Sequence, residues 1–154
     1  MVDPKNTGMC FYCTDPNFAP ILGNPKAYVD KLKEYQAVIG IDASPYDNMP
    51  IVVQKSQIYL NLGITCYYGF RGMKVIPNVR LGDNRTLSSL EAYPHHTLIA
   101  IATNGFIKLL ENRYFFADQA MRVVDELEPT GICVYGPAPD SIFGYAHFKG
   151  VPIY

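Results

Sequence analysis

Residues 73–83 read MKVIPNVRLGD, and the way this stretch is parsed decides the fold. Its first half is a short apolar run, residues 74–79, with the length and composition of a buried strand. Its second half turns abruptly polar at Asn78, Arg80 and Asp83. Strands of open α/β sheets and α/β barrels carry their ligand-binding residues just past their carboxyl ends. An Asn-x-Arg-x-x-Asp series in that position is therefore read as a strand running into a site.

Working outward, the same design recurs. Residues 36–43 (QAVIGIDA), 97–103 (TLIAIAT) and 132–135 (ICVY) are apolar runs without strict alternation, as expected of strands covered on both faces. Between them lie helical patterns. Asn24-Pro25 has the form of a helix start, with Tyr28, Leu32 and Tyr35 on one face. Residues 51–70 form a long candidate helix with Val52, Tyr59, Leu62 and Cys66 as its inward face, Asp47 or Asn48 as its cap and Gly72 as its stop. A short helix is expected over residues 84–92, with Leu87 and Leu90 inward. A longer one starts near Asn112, where Phe116, Ala120, Val123 and Leu127 recur at helical spacing. Residues 136–144 (GPAPDSIFG) read as a loop and residues 145–154 as an edge segment. Residues 1–23 read as an irregular arm.

Strands alternating with helices predict a single α/β domain over residues 1–154. Its sheet should be mainly parallel, with about four to six strands and flanking helices. An open three-layer sheet or a partial TIM-like barrel fits this length, and a part-barrel with open edges favours a homodimer.

Composition narrows the function. The chain has 154 residues, 49% hydrophobic and 18% charged, with a net charge of −1 from 13 basic and 14 acidic side chains. That balance predicts no general affinity for nucleic acid or acidic lipid. No apolar run approaches the roughly 20 residues needed to span a bilayer. The N-terminus lacks a basic and an apolar region of signal-peptide type, so a cytosolic protein without membrane partners is expected. Cys66 and Cys133 read as buried thiols. Cys10-x-x-Cys13 has the spacing of half a zinc site or a redox dithiol, but no second CxxC or spaced His pair accompanies it.

The polar residues at the strand ends are Asp42 and Ser44; Asn78, Arg80 and Asp83; Thr103 and Asn104; and Tyr135, with Gly136 and Asp140 beyond. Parallel strands would gather them at one edge. Arg80 ranks first, because a guanidinium can grip a phosphate or carboxylate bidentately; its structural alternative is an ion pair with Asp42 or Asp83. Asp83 also fits a helix cap. Asn104-Gly105 fits a tight turn whose backbone N–H groups could face an anion. Three functions follow. The first is binding of a small anionic ligand, such as a nucleotide or nucleotide-derived signal. The second is metal-dependent phosphohydrolase or nuclease chemistry on Asp42, Asp83 and Arg80. The third is a protein-interaction surface around Tyr67, Tyr68 and Phe70. No P-loop, GxGxxG or GxSxG motif is present, and the pattern names no cofactor.

The phrases IDASPYDNMP (41–50), KVIPNVRLGD (74–83), IATNGFIK (101–108) and VYGPAPDSIF (134–143) together resemble a phage- and plasmid-associated family known only as domain of unknown function 4417. The NPKAYVDKLKEY segment before them is similar as well. The resemblance implies a mobile-element origin and no assigned activity. The family's THGC-like phrase is Thr103-Asn104-Gly105-Phe106 here, and its acidic residue before Met-Pro is Asn48. Both departures favour a binding protein over an enzyme, one that could counter host defence by holding a signal.

Overall fold

The computed structural model describes residues 3–104 and 106–154, with Asp15 by its backbone alone. Its contacts fall into two compact units, Met1–Asn78 and Val79–Tyr154, each described by itself. The boundary lies inside the MKVIPNVRLGD stretch.

The first unit holds a three-stranded parallel sheet. β1 (Gly8–Met9), β2 (Ala37–Ile39) and β3 (Val75–Ile76) lie in the order β1-β2-β3, with Met9 beside Val38 and Ile39 beside Ile76. β3 ends at Ile76, one residue before Pro77, and Gly40 N–H still donates to Ile76 C=O (2.9 Å) beyond the paired residues. Residues 3–23, expected to be irregular, instead supply β1, a 3₁₀ turn at Pro4–Asn6 and the helix α1 (Asp15–Gly23). Pro16 is tolerated in its first turn, where the missing N–H has no intrahelical partner anyway. Phe11, Phe18 and Ile21 are buried in the core with Val38, Ile41 and Tyr68. Each such side chain is worth about 1.5–3 kcal/mol when buried, enough to hold the segment down. Pro25–Tyr28 forms a 3₁₀ turn leading into the single-turn α2 (Val29–Leu32), which buries Val29 and Leu32.

The long helix α3 (Ile51–Phe70) has the expected bounds and stops at Gly72, whose φ is +85°. Its inward face differs from expectation. Gln54, Ile58, Asn61, Ile64, Thr65 and Tyr68 are buried, whereas Val52, Tyr59 and Cys66 are exposed. The reason is the chain after Gly40, which leaves the ladder and still needs partners for its buried backbone groups. Asn61 supplies them: Ala43 N–H donates to its Oδ1 (2.8 Å), and its Nδ2 donates to Ala43 C=O (2.9 Å). Thr65 Oγ1 donates to Asn61 C=O, and Gly40 sits so close that a Cβ would run into Thr65 Oγ1. No side chain of Asp47 or Asn48 caps the helix; Gln54 Nε2 instead donates to the carbonyls of Asp47 and Met49.

In the second unit, β4 (Leu98–Ala102) and β5 (Gly131–Tyr135) pair in parallel over five residues, Leu98 with Gly131 through Ala102 with Tyr135. Of the edge segment expected over residues 145–154, the first four residues are helical and Ile153 alone adds a parallel bridge, to Ile132. The α/β character and parallel pairing thus stand, but as sheets of three and two short strands rather than one of four to six. Residues 84–92 are 3₁₀ rather than α, with Leu90 buried. The helix α4 (Leu110–Leu127) buries Ala120, Val123 and Leu127 as its spacing predicts. α5 (Asp140–Phe148) occupies part of the expected loop and turns Ile142, Phe143 and Ala146 inward. Among the described residues, no helix is long and apolar enough to cross a membrane.

Candidate functional site

The first unit contains Asp42, Ser44 and Asn78, all buried. Two residues beyond the end of β3, Asn78 bridges to the neighbouring segment with its side chain. Its Nδ2 donates to Ile41 C=O (3.1 Å) and Asp42 Oδ1 (2.8 Å), and its Oδ1 accepts from Tyr12 OH (3.1 Å). With Asn61 on Ala43, both sides of the 41–43 segment are held by side-chain amides. Tyr12 and Asn61 were missed in the sequence; a helical Asn on a polar face gives no signal until its neighbour is known.

The second unit contains Arg80, Asp83, Thr103, Asn104 and Tyr135. Asp83 caps the 3₁₀ segment through Arg85 N–H (2.9 Å), as expected, and takes the Arg85 guanidinium at 2.6 Å. The Arg80 guanidinium lies over the Phe106 ring, 4.6 Å from its centroid. With Phe106, Phe116 and Gln119 it borders a cavity of about 20 Å³, enough for about one water and too small for a nucleotide. Gln119 Nε2 donates to Gly82 C=O (2.7 Å) and fixes the chain on the far side of Arg80.

Thr103, Asn104 and Tyr135 do meet. Thr103 N–H (3.0 Å) and Asn104 N–H (3.2 Å) both donate to Tyr135 C=O, and Thr103 Oγ1 donates to Pro137 C=O (2.7 Å). Gly136 makes this possible. Its φ is +119°, and a Cβ there would fall 2.7 Å from both Asn104 N and Thr103 Oγ1. The reading of Asn104-Gly105 as an N–H-presenting turn falls on Gly105, outside the described residues.

Beside these strand ends opens a cavity of about 280 Å³ lined by Thr103, Asn104, Ile107, Lys108, Arg113, Pro137 and Pro139. Two of its lining residues are cationic and none is acidic. Arg113 Nε donates to Ile107 C=O (2.8 Å), which aims the guanidinium with one of its five donors. Lys108 and Arg113 were not singled out in the sequence. A signal existed for Arg113: a cation in the first turn of a helix opposes the macrodipole, so something other than helix stability places it there.

Other expected sites resolve differently. Tyr68 is core, its OH donating to Pro25 C=O (3.3 Å), so it belongs to no interaction surface, whereas Phe70 is exposed. Burial, with Tyr67 and Tyr28 nearby, pushes the Tyr68 phenol up to about 12. Cys66 faces solvent, and burial pushes the half-buried Cys133 thiol up. Asp140 pairs with His147 at 3.4 Å. The described residues contain no group of three or more His, Cys, Asp or Glu side chains that could hold a metal ion.

The profile of domain of unknown function DUF4417 matches residues 3–149. The chain belongs to the DUF4417 family. It is also similar to the gene 1 protein of Mycobacterium phage L5, at 24% identity over 134 residues, which is 86% of this chain and 58% of that protein. The chain thus spans a little over half the length of this phage relative. No solved structure matches. The DUF4417 assignment supports the family reading of the four sequence phrases, and the relative supports their phage association.

Proposed function

We propose that this DUF4417 member binds a small anionic ligand in the cavity at the carboxyl ends of β4 and β5. The observation that carries the reading is the pair of cations, Lys108 and Arg113, on a strand-end cavity with no lining carboxylate. Ligand pockets span about 300–1,000 Å³, so about 280 Å³ suits a mononucleotide or something smaller. In this reading the anion takes Lys108 and the Arg113 fork, Asn104 and Thr103 orient it, and Ile107, Pro137 and Pro139 offer an apolar wall to a base or sugar. Tyr135 acts through its carbonyl. Asp42, Asn78 and Asp83 hold the segments that leave the strands, Arg80 packs on Phe106, and Ser44 is buried beside Ala43. A phage-encoded protein that holds a nucleotide-derived signal without turning it over would withdraw that signal from a host defence.

Thermal unfolding with phosphate, pyrophosphate and mono-, di- and cyclic nucleotides tests this. A ligand at a hundredfold excess over its Kd should add about 2.7 kcal/mol. Replacing Lys108 and Arg113 together with alanine should abolish that gain while leaving the unliganded melt close to wild type. A flat panel, or a gain that survives the double variant, refutes the site.

A further inference from the structure

The inverted burial of α3 leaves a stripe in solvent: Val52, Ser56, Tyr59, Gly63, Cys66 and Phe70. Their spacing alternates four and three residues along the whole helix, the period of a helix–helix seam. Tyr59 is 78% exposed and Phe70 91%. Exposed aromatics arranged in this way on a 20-residue helix mark an unfilled contact.

The order of residues along the stripe identifies what fills it. Turned end for end about a two-fold axis at the level of Asn61, the stripe meets itself in register. Tyr59 falls opposite Gly63 of a second copy, Val52 opposite Phe70, and Ser56 opposite Cys66. Large side chains therefore meet small ones at the centre, and apolar meets apolar at both ends. A Cβ on Gly63 would touch nothing in the isolated chain, so the space above it is open to a Tyr59 ring. Val52, Ser56 and Tyr59 also line a shallow groove with Ile51 and Lys55, and in this register the groove lies opposite Phe70 of the second copy.

Lys55 is the sole charged residue of α3. In the antiparallel register it faces Tyr67 of the second copy, whose ring already carries that copy's Arg71 at 5.7 Å, so no cation–π gain is counted there. The two Lys55 side chains stand about 18 Å apart along the axis, beyond the screening length at physiological salt. Antiparallel macrodipoles favour the register.

Area agrees. Four buried aromatic rings at roughly 150–250 Å² each supply about 600–1,000 Å² before Val52, Val53 and the Lys55 stem are counted. That reaches the lower range of stable interfaces, about 1,000–1,200 Å².

We infer that DUF4417 chains of this kind pair as an isologous dimer through antiparallel α3 helices, with Tyr59 of each copy seated on Gly63 of the other. The two Cys66 residues lie about 15 Å apart along the axis in this arrangement, too far for a disulfide, so the dimer is independent of reductant.

Sedimentation of the full chain with and without reductant, from micromolar to millimolar concentration, should give twice the 17.2 kDa chain mass. Tyr59→Glu and Phe70→Glu should each raise the dissociation constant at least about a hundredfold with unchanged circular dichroism. Gly63→Leu separates the inference from a mere folding effect: at concentrations where the chain is monomeric it should raise the melting temperature, by helix propensity, yet it should weaken the dimer at least about tenfold. A monomeric mass throughout leaves the face to another protein and overturns the inference. Open-ended assemblies, or a dimer indifferent to all three substitutions, overturn it too.

Discussion

α3 and α4 are the two long helices of the chain, and they obey opposite rules. α4 buries Ala120, Val123, Val124 and Leu127 with one polar side chain, Gln119, and turns its charges outward. α3 buries Gln54, Asn61 and Thr65 and exposes Val52, Tyr59 and Phe70. The difference lies in what each helix packs against. Next to α3 runs a piece of backbone, residues 41–44, that has left its ladder and must have hydrogen-bond partners. The corresponding exit from β4 in the second unit takes its partner from the main chain, the Tyr135 carbonyl, and α4 gives the neighbouring backbone a single buried amide, Gln119 on Gly82 C=O. A polar stripe on a helix can thus be an inward face when the neighbour is naked backbone.

The sharpest way to break that comparison is Asn61→Leu. If α3 were an ordinary amphipathic helix, a leucine at this buried position would stabilise it. Instead the substitution orphans both the N–H and the C=O of Ala43, each costing about 1–3 kcal/mol, so a loss of about 4 kcal/mol is expected from urea unfolding. Leu127→Ala in α4 should cost about 3 kcal/mol by the ordinary route of a cavity. A neutral or stabilising Asn61→Leu would show that the two helices do not differ as described.

Next in size is Gly136→Ala, which probes the main-chain tie of the second unit. Strain at φ +119° and the approach of Asn104 and Thr103 should cost about 2 kcal/mol, and anion binding should weaken with it as the Thr103–Asn104 turn is pushed aside. Stability equal to wild type would mean that Gly136 does not set this turn.

The smallest effect concerns Tyr68, on the inward face of α3. Its folded value of about 12 lies above the ordinary phenol value of 10.0, because burial and the neighbouring Tyr67 and Tyr28 favour the neutral form. The proton is held more tightly in the folded chain. The associated stability is therefore complete below pH 10 and lost as pH rises through about 12. Tyr68→Phe should flatten the alkaline limb of a stability-against-pH curve between those values. An unchanged limb would place the alkaline sensitivity elsewhere.

The second unit was the more legible of the two. The period of Phe116, Ala120, Val123 and Leu127 gave α4, the apolar runs gave β4 and β5, and the Thr103, Asn104 and Tyr135 strand ends meet. Lys108 and Arg113 were less visible, since each is ordinary in isolation and they share a cavity only once β4, α4 and Pro137 are in place. Arg80 was legible as a strand-end cation. Its Phe106 neighbour was not, because 26 residues separate them in the chain. In the first unit, Pro16 and Pro20 hid α1, and the polar inward stripe hid the orientation of α3.

By itself the sequence determined the α/β class, parallel pairing, the bounds and stop of α3 and the family. These follow from local patterns: apolar runs, helical period, Gly72 as a stop, and phrases that survive as units. The MKVIPNVRLGD stretch marks where that reach ends. Its proline was visible, but only the tertiary structure showed that the ladder breaks there, that Asn78 bridges to Ile41 and Asp42 with its side chain, and that the contact boundary follows at once. Which way α3 faces was likewise decided in three dimensions. Hydrophobicity is a property each residue carries along the chain, whereas an unsatisfied backbone group exists only once another segment has left it without a partner.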